Sequence, residues 1–355
     1  MADEDVKFDI LTVRSDAVSW RIFERECMEK YFGQSIETKP EGIAVPGIHN
    51  KGVQYVYWKI HTESTDIKLL NRCCQTAGVL ERFGIKHINN PHGWINSHAK
   101  EAAFKIWERE KIPCPKWFQF NGQYDFAKKA TFGYPMLIRL NNSTSGWFSE
   151  LCYNEAEVMR AIPKVLSGMQ HHHDKIPNTG VDRKMIAVQF IPTTRPESVN
   201  LSFRIIVAGN KVVVGYARLG QPKDWIAITG KFETWMQKPF VYYQKVCQKF
   251  CEENEALIVK AVKSLNLNFQ GVDVILDQND NPYFIEVQPG FSVGYPNRSG
   301  WKPPFYNPSK PPTLLDFLHK NLDMLKQECP MYTNLWLDKY KMFDKAFKSL
   351  KEDLG

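Results

Sequence analysis

Gly271-Val272-Asp273-Val274-Ile275-Leu276, then Asp277-Gln278-Asn279-Asp280-Asn281-Pro282, then Tyr283-Phe284-Ile285-Glu286-Val287-Gln288-Pro289-Gly290: two β-rich runs flank a polar cluster, which is the pattern of a hairpin. With the turn centred on Asn279-Asp280, Asp273 faces Glu286. Opposed residues of an antiparallel pair share a face, with Cβ atoms about 5 Å apart. Two like charges so placed repel, so a cation is expected between them. Gln288, two residues past Glu286 on that face, adds an amide oxygen. Two carboxylates and an amide oxygen are a hard, oxygen-only donor set that suits Mg²⁺ better than zinc. The plain alternative is an ordinary hairpin whose acids are solvated or paired with lysine.

The hairpin belongs to a chain of 355 residues, more than one compact core usually serves, so two or three subdomains are expected. Apolar residues make up 43% and charged residues 24%, as in ordinary globular proteins. No apolar run approaches the roughly 20 residues of a membrane span. The acidic start Met1-Ala2-Asp3-Glu4-Asp5 is unlike a secretory signal, and a cytoplasmic setting is expected. A net charge of +7 permits an anionic partner without choosing one. Eight cysteines without a Cys-x-x-Cys motif read as reduced thiols, and Cys247 and Cys251 share a helical face. His171-His172-His173-Asp174 reads as a solvated loop, because consecutive residues do not converge easily on a metal.

Along the chain, 8–13 and 54–58 read as strands, 18–32 and 66–83 as helices, and 85–88 as a short strand, an alternation that suggests a small open α/β layer. A helix runs to Lys111 and is broken by Ile112-Pro113-Cys114-Pro115; a strand starts at Trp117. Lys184 to Pro192 is a buried-type strand. Leu201 to Arg218 is a hairpin turning at Gly209-Asn210. A regular register puts Arg204 and Arg218 on opposite faces; they converge only if a bulge intervenes. Asp224 to Trp235 reads as a mobile substrate loop, Glu252 to Lys263 as a helix, Leu314 to Leu325 as helical, and 334–354 as one amphipathic helix packed on the body.

The opening hairpin, with its Pro282-Tyr283-Phe284-Ile285-Glu286-Val287-Gln288-Pro289-Gly290 strand, resembles the metal-binding hairpin of the ATP-grasp superfamily, with Gln288 where the family has Asn. Further stretches follow in the family's order over roughly 85–296. Asn89-Asn90-Pro91-His92 and Lys100, fifteen residues before Pro115, resemble the start of the family's nucleotide region, which implies that Lys100 meets phosphate as a point charge. Phe132 to Leu140 followed by Asn141-Asn142-Ser143-Thr144-Ser145-Gly146 resembles the strand with a second phosphate-contacting cation, here Arg139 in place of Lys. The loop after it implies phosphate contacts from Ser143, Thr144, Ser145 and Gly146. The resemblance also implies an adenine-contacting hinge at Gln189, Phe190 and Ile191, and ribose contacts from Glu197. Arg204 and Arg218, fourteen residues apart, match positions that serve phosphate and acyl substrate in the ribosomal-protein glutamate ligases.

The implied fold is α/β (α+β): an ATP-grasp fold, with an N-terminal open α/β domain (1–95), a central subdomain (96–186), a C-terminal subdomain carrying the metal hairpin (187–325) and a C-terminal helix (326–355). The resemblance implies ATP as cofactor, with Mg²⁺ or Mn²⁺ on Asp273, Glu286 and Gln288. It implies an ADP-forming carboxylate–amine ligase, similar also to glutathione synthetases, working through an acyl phosphate. A small-molecule or peptide carboxylate and an amine are the implied partners; a membrane is not, and nucleic acid is disfavoured. The alternatives are a kinase on the same fold, or a nucleotide- or nucleic-acid-binding protein without turnover, which 13% aromatic content would suit. Neutralising Asp273 is expected to stop turnover and leave the fold intact.

Overall fold

A computed structural model describes residues 8–14, 22–43, 45, 48, 51–60, 67–141, 148–175, 184–221, 234–288, 317–318 and 320–355. Among these residues the chain forms three four-stranded sheets. The first joins β1 (Ile10–Arg14), β2 (Ser35–Thr38), β3 (Tyr55–Lys59) and β4 (Lys86–Ile88) in the order β2-β1-β3-β4, every pairing parallel. Parallel strands need crossovers; α1 (Ile22–Phe32) and α2 (Ile67–Arg82) supply them. Strands β1 and β3 are near-continuous apolar runs with Ile10, Val13, Val56 and Trp58 fully buried, as a sheet covered on both faces requires. This is the open α/β layer expected from sequence, with β2 as a strand that its short Ser-Ile-Glu-Thr run did not announce.

The second sheet is antiparallel, in the order β5-β8-β6-β7, from β5 (Trp117–Phe120), β6 (Met136–Leu140), β7 (Ser149–Cys152) and β8 (Met185–Gln189). It is led in by α3 (Pro91–His98) and α4 (Lys100–Arg109), and carries α5 (Gln123–Lys129) and α6 (Glu155–Lys175). Residues 171–174 lie within α6, not in a loop; Pro163 inside that helix masks it in the sequence. The third sheet, in the order β10-β9-β11-β12, joins β9 (Asn200–Ala208), β10 (Lys211–Gly220), β11 (Phe269–Leu276) and β12 (Pro282–Gln288), all antiparallel.

The single helix expected over 252–263 is the end of α7 (Gln237–Glu253) and all of α8 (Glu255–Lys263), joined at Asn254. Residues 317, 318 and 320 are helical and precede α9 (Leu322–Glu328). The expected helix over 334–354 is also divided: a π-type turn, Tyr332–Trp336, then α10 (Lys339–Leu354), started by Asp338, whose side chain accepts from the Lys341 N–H at 3.1 Å. Helix α10 packs on the body as expected. Phe343 and Phe347 meet Phe269 of the third sheet, and Phe347 meets Tyr57 of the first. Gly209 turns the β9–β10 hairpin at φ +57, and a Cβ there would fall 2.7 Å from the Ser349 carbonyl, so the helix comes as close as a glycine permits.

All eight cysteines are free thiols, seven of them buried and Cys114 half-buried. Burial pushes the Cys27, Cys73 and Cys114 thiols up to about 12. Among the described residues no helix is long and apolar enough to cross a membrane.

Candidate active site

The third sheet carries a transverse row of polar residues. Tyr216 on β10 faces Arg204 on β9, Arg204 faces Asp273 on β11, and Asp273 faces Glu286 on β12. The facing of Asp273 and Glu286 expected from sequence is present, but it is reached differently. The turn is a three-residue loop, Gln278 to Asp280, closed by the Asp277 N–H on the Asn281 carbonyl at 3.0 Å, with Asp280 left-handed at φ +63. Asp277 shapes it by accepting from the N–H groups of Asn279 and Asn281 at 2.8 and 2.9 Å. That loop pairs Val274 with Phe284; a bulge then skips Ile285 and restores Asp273 opposite Glu286.

The cation expected between the acids is supplied by the protein's own side chains. Arg204 donates to Asp273 through Nε at 2.7 Å and Nη2 at 2.8 Å, a bidentate grip. Arg218 Nη2 lies 3.0 Å from Asp273 Oδ2, and its Nε donates to Ser202 Oγ at 3.1 Å. The two arginines therefore share a face. The β9–β10 hairpin starts in the register its Gly209-Asn210 turn sets, then shifts by one between Val212 and Val214. This is the bulge that convergence required. Burial opposes the Arg204 charge, but the Asp273 carboxylate outweighs it and holds the guanidinium above its ordinary range.

Lys100 arrives from α4. Its Nζ lies 2.7 Å from Glu286 Oε2. The helix start is fixed by Asn141 at the end of β6: the Lys100 N–H donates to the Asn141 carbonyl at 3.0 Å and the Glu101 N–H to Asn141 Oδ1 at 2.9 Å. Further along α4, Trp107 Nε1 donates to the Ala261 carbonyl at 2.9 Å and the Trp107 ring meets Phe284 edge-on at 5.9 Å. These contacts set α4 against the third sheet. Burial and then Arg139 push the Lys100 pKa down, while Glu286 pulls it up. Burial likewise lowers that of Arg139, with Glu286 opposing. Lys100, Arg139 and Asp273 are 7, 8 and 6% exposed. Four cationic side chains thus gather around two carboxylates in a water-poor site, a surplus of two positive charges, which is an arrangement that receives an anion.

The hinge residues lie at the end of β8. A cavity of about 260 Å³ is lined by Lys116, Phe132 to Pro135, Gln189 and Phe190. The Gln189 N–H donates to the Lys116 carbonyl at 2.8 Å and the Phe190 N–H to the Pro135 carbonyl at 3.2 Å. A base held here is therefore read by groups other than these two donors. Ile191 is buried. Glu197 is exposed and accepts a hydrogen bond from the Tyr243 hydroxyl. Ser143, Thr144, Ser145 and Gly146, the Gln288 side chain, and most of the expected substrate loop lie outside the described residues.

The residues that sequence reading passed over are Asn141, Ser202 and Tyr216. Asn141 opens the small-residue loop and carries an Asx signal; the other two have none, because their part is set by register.

A family model described as a RimK-like ATP-grasp domain matches residues 98–295, more than half of the chain. No curated protein matches. Among solved structures, D-alanine–D-alanine ligase from Bacillus anthracis shares 13% identity over 98% of this chain and 100% of its own, at a TM-score of 0.50. The RimK domain protein ATP-grasp from Sphaerobacter thermophilus DSM 20745 shares 18% over 79% of this chain and 90% of its own, at 0.49. At such identities the former likeness speaks to the fold alone. Taken with the matched segment, the chain belongs to the RimK-like ATP-grasp family.

Proposed function

We propose that the protein is an ADP-forming carboxylate–amine ligase. One observation carries this reading: Lys100, Arg139, Arg204 and Arg218 converge on a facing pair of carboxylates in a buried site. In the first step a substrate carboxylate oxygen attacks the γ-phosphorus of ATP, the bond to the β-bridging oxygen breaks, and ADP leaves. The amine then attacks the acyl carbon, phosphate departs, and the amine gives up a proton. Neither step needs a protein nucleophile. The work of the chain is to position reactants and to neutralise charge as it develops, in a site where water does not screen it.

Lys100 and Arg139 are suited to the nucleotide phosphates. Arg204 and Arg218, fixed on Asp273, are suited to the transferred phosphoryl group and the acyl oxygen. The donor chemistry suits a magnesium ion in that Asp273 and Glu286 present oxygen only, and an ion bound there would share these carboxylates with Arg204, Arg218 and Lys100. Mg²⁺ is commonly held by one or two carboxylates plus substrate phosphates, so these two residues would hold it. When bound, the ion supplies charge neutralisation at the phosphates.

The test is ADP release with ATP and Mg²⁺ across a panel of amino acids and peptides. The proposal expects release that depends on both a carboxylate and an amine. Release without an amine would make the protein a kinase, and no release with no calorimetric binding of ATP would overturn the nucleotide site.

A further inference from the structure

Arg204 and Arg218 share a face because of one extra residue. Strand β10 pairs Lys211 with Ala208 and Val212 with Val207, then resumes with Val214 opposite Ile206. Val213 has no partner in the ladder, and every later side chain on β10 changes face. Strand β10 is also an edge of its sheet, so among the described residues no neighbouring strand holds the irregularity from outside.

Two helices hold it instead. Glu255, the first residue of α8, accepts the Val212 N–H through Oε1 at 2.9 Å. Lys345, on α10, donates from Nζ to the Val213 carbonyl at 2.9 Å and the Val212 carbonyl at 3.4 Å. In a regular strand, successive carbonyls point to opposite sides. One ammonium binding two in succession grips the feature that makes the bulge. The same helix fastens the hairpin towards its turn: Ser349 Oγ donates to the Ala208 carbonyl at 2.7 Å, and Asp353 accepts from the Asn210 amide. Lys345 is an exposed residue of α10, so the lowest-cost place for its charge would be water; its reach to the strand is a directed contact. It also lies beyond the segment that matches the family.

We infer that Lys345 and Glu255 are positioning residues: they hold the bulge at Val213 and through it keep Arg218 on the face of Arg204 and Asp273. Its consequence for turnover rests on the ligase reading above; its structural content does not.

The test is a double-mutant cycle between Lys345→Met, which keeps the aliphatic stem and removes the donor, and Arg218→Ala, read by thermal melting. Arg218→Ala should lower the melting temperature of the parent by about 2–4 °C. In the Lys345→Met background it should cost less than about a third of that, because in most molecules Arg218 has already left Asp273. Equal losses in both backgrounds overturn the inference. If Lys345→Met does not fold, the same cycle with Glu255→Ala gives the same two outcomes. In the ligase assay, well below the melting range, Lys345→Met should lower kcat about tenfold with KM for ATP within about twofold, and Lys345→Arg should recover most of it. An unchanged kcat overturns the inference as surely as additive melts do. A parent that releases no ADP overturns the ligase reading alone and leaves the melting cycle to decide this one.

Discussion

The two hairpins of the third sheet are built alike and teach opposite lessons about register. In β9–β10 the turn is the one its Gly209-Asn210 pair announces, and the bulge at Val213 then changes the face of Arg218. In β11–β12 the turn is one residue away from where the polar cluster places it, and the bulge at Ile285 cancels the difference, so that Asp273 still faces Glu286. In one hairpin a regular register would part the two arginines, and an irregularity brings them to one face. In the other the expected facing of the two acids is kept because two departures compensate. In both, the irregularity lies between the turn and the row of charged residues. The turn is local chemistry; the parity of what lies beyond it depends on a single inserted residue.

The largest effect expected from disturbing this arrangement is at the residue where the two hairpins meet. Asp273 is held by Arg204 and Arg218 together. Asp273→Asn leaves two guanidiniums facing a neutral amide and should cost about 3–5 kcal/mol in a denaturant titration, with turnover lost. From sequence the fold is expected to survive this change; the ion pairs add a stability cost to it, because the acid that faces Glu286 is also shared between two arginines. A variant as stable as the parent would mean that the two arginines do not depend on Asp273.

Deleting Val213 sharpens the comparison directly. Regular alternation would resume, Arg218 would turn to the opposite face, and ADP release should fall about a hundredfold, the common cost of losing one electrostatic stabiliser. Arg218→Ala should match it. A deletion variant that melts normally and turns over normally would show that the shared face is not needed.

A smaller effect concerns pH. Burial and then Arg139 hold the Lys100 pKa below its ordinary value, against Glu286. Between the folded and unfolded values the unfolded chain binds the extra proton, so stability should rise with pH across that window. ATP affinity should do the reverse, falling as Lys100 loses its charge below the ordinary lysine value of about 10.4. Calorimetry at increasing pH should show the fall in the parent and not in Lys100→Arg. A parent curve flat up to the ordinary lysine range would remove Lys100 from the phosphates.

The smallest is at the tip of β11–β12. Asp280→Gly relieves a left-handed residue and loses an ion pair from Arg195 at 3.0 Å on a carboxylate that is 75% exposed. The two contributions oppose each other, each about 1 kcal/mol or less, so melting and turnover should both stay close to the parent.

What the sequence makes legible follows from the same distinction. Patterns with short reach, such as the Gly209-Asn210 turn, the alternation of the first sheet and the Asp273–Glu286 facing, are readable because their causes lie within a few residues. The counterions are not. Lys100 and Glu286 are brought together only when α4 is docked by Trp107 on Ala261 and Phe284, and nothing local to either residue says so. Helix α6 was hidden by Pro163, and the division before α10 by apolar residues that keep a helical period through a turn of different pitch.

The raised cysteine pKa values have a practical consequence. With thiols pushed up to about 12 at Cys27, Cys73 and Cys114, the thiolate fraction of each at neutral pH is on the order of one in 10⁵. The thiolate is the species that attacks a maleimide, so these native sites label slowly in the folded protein. A cysteine introduced at an exposed position would label faster than these three. Tyr124 on α5 and Lys348 on α10 are both exposed. A donor and an acceptor dye placed there would report the separation of the central sheet from the C-terminal body, in solution, as ATP is titrated.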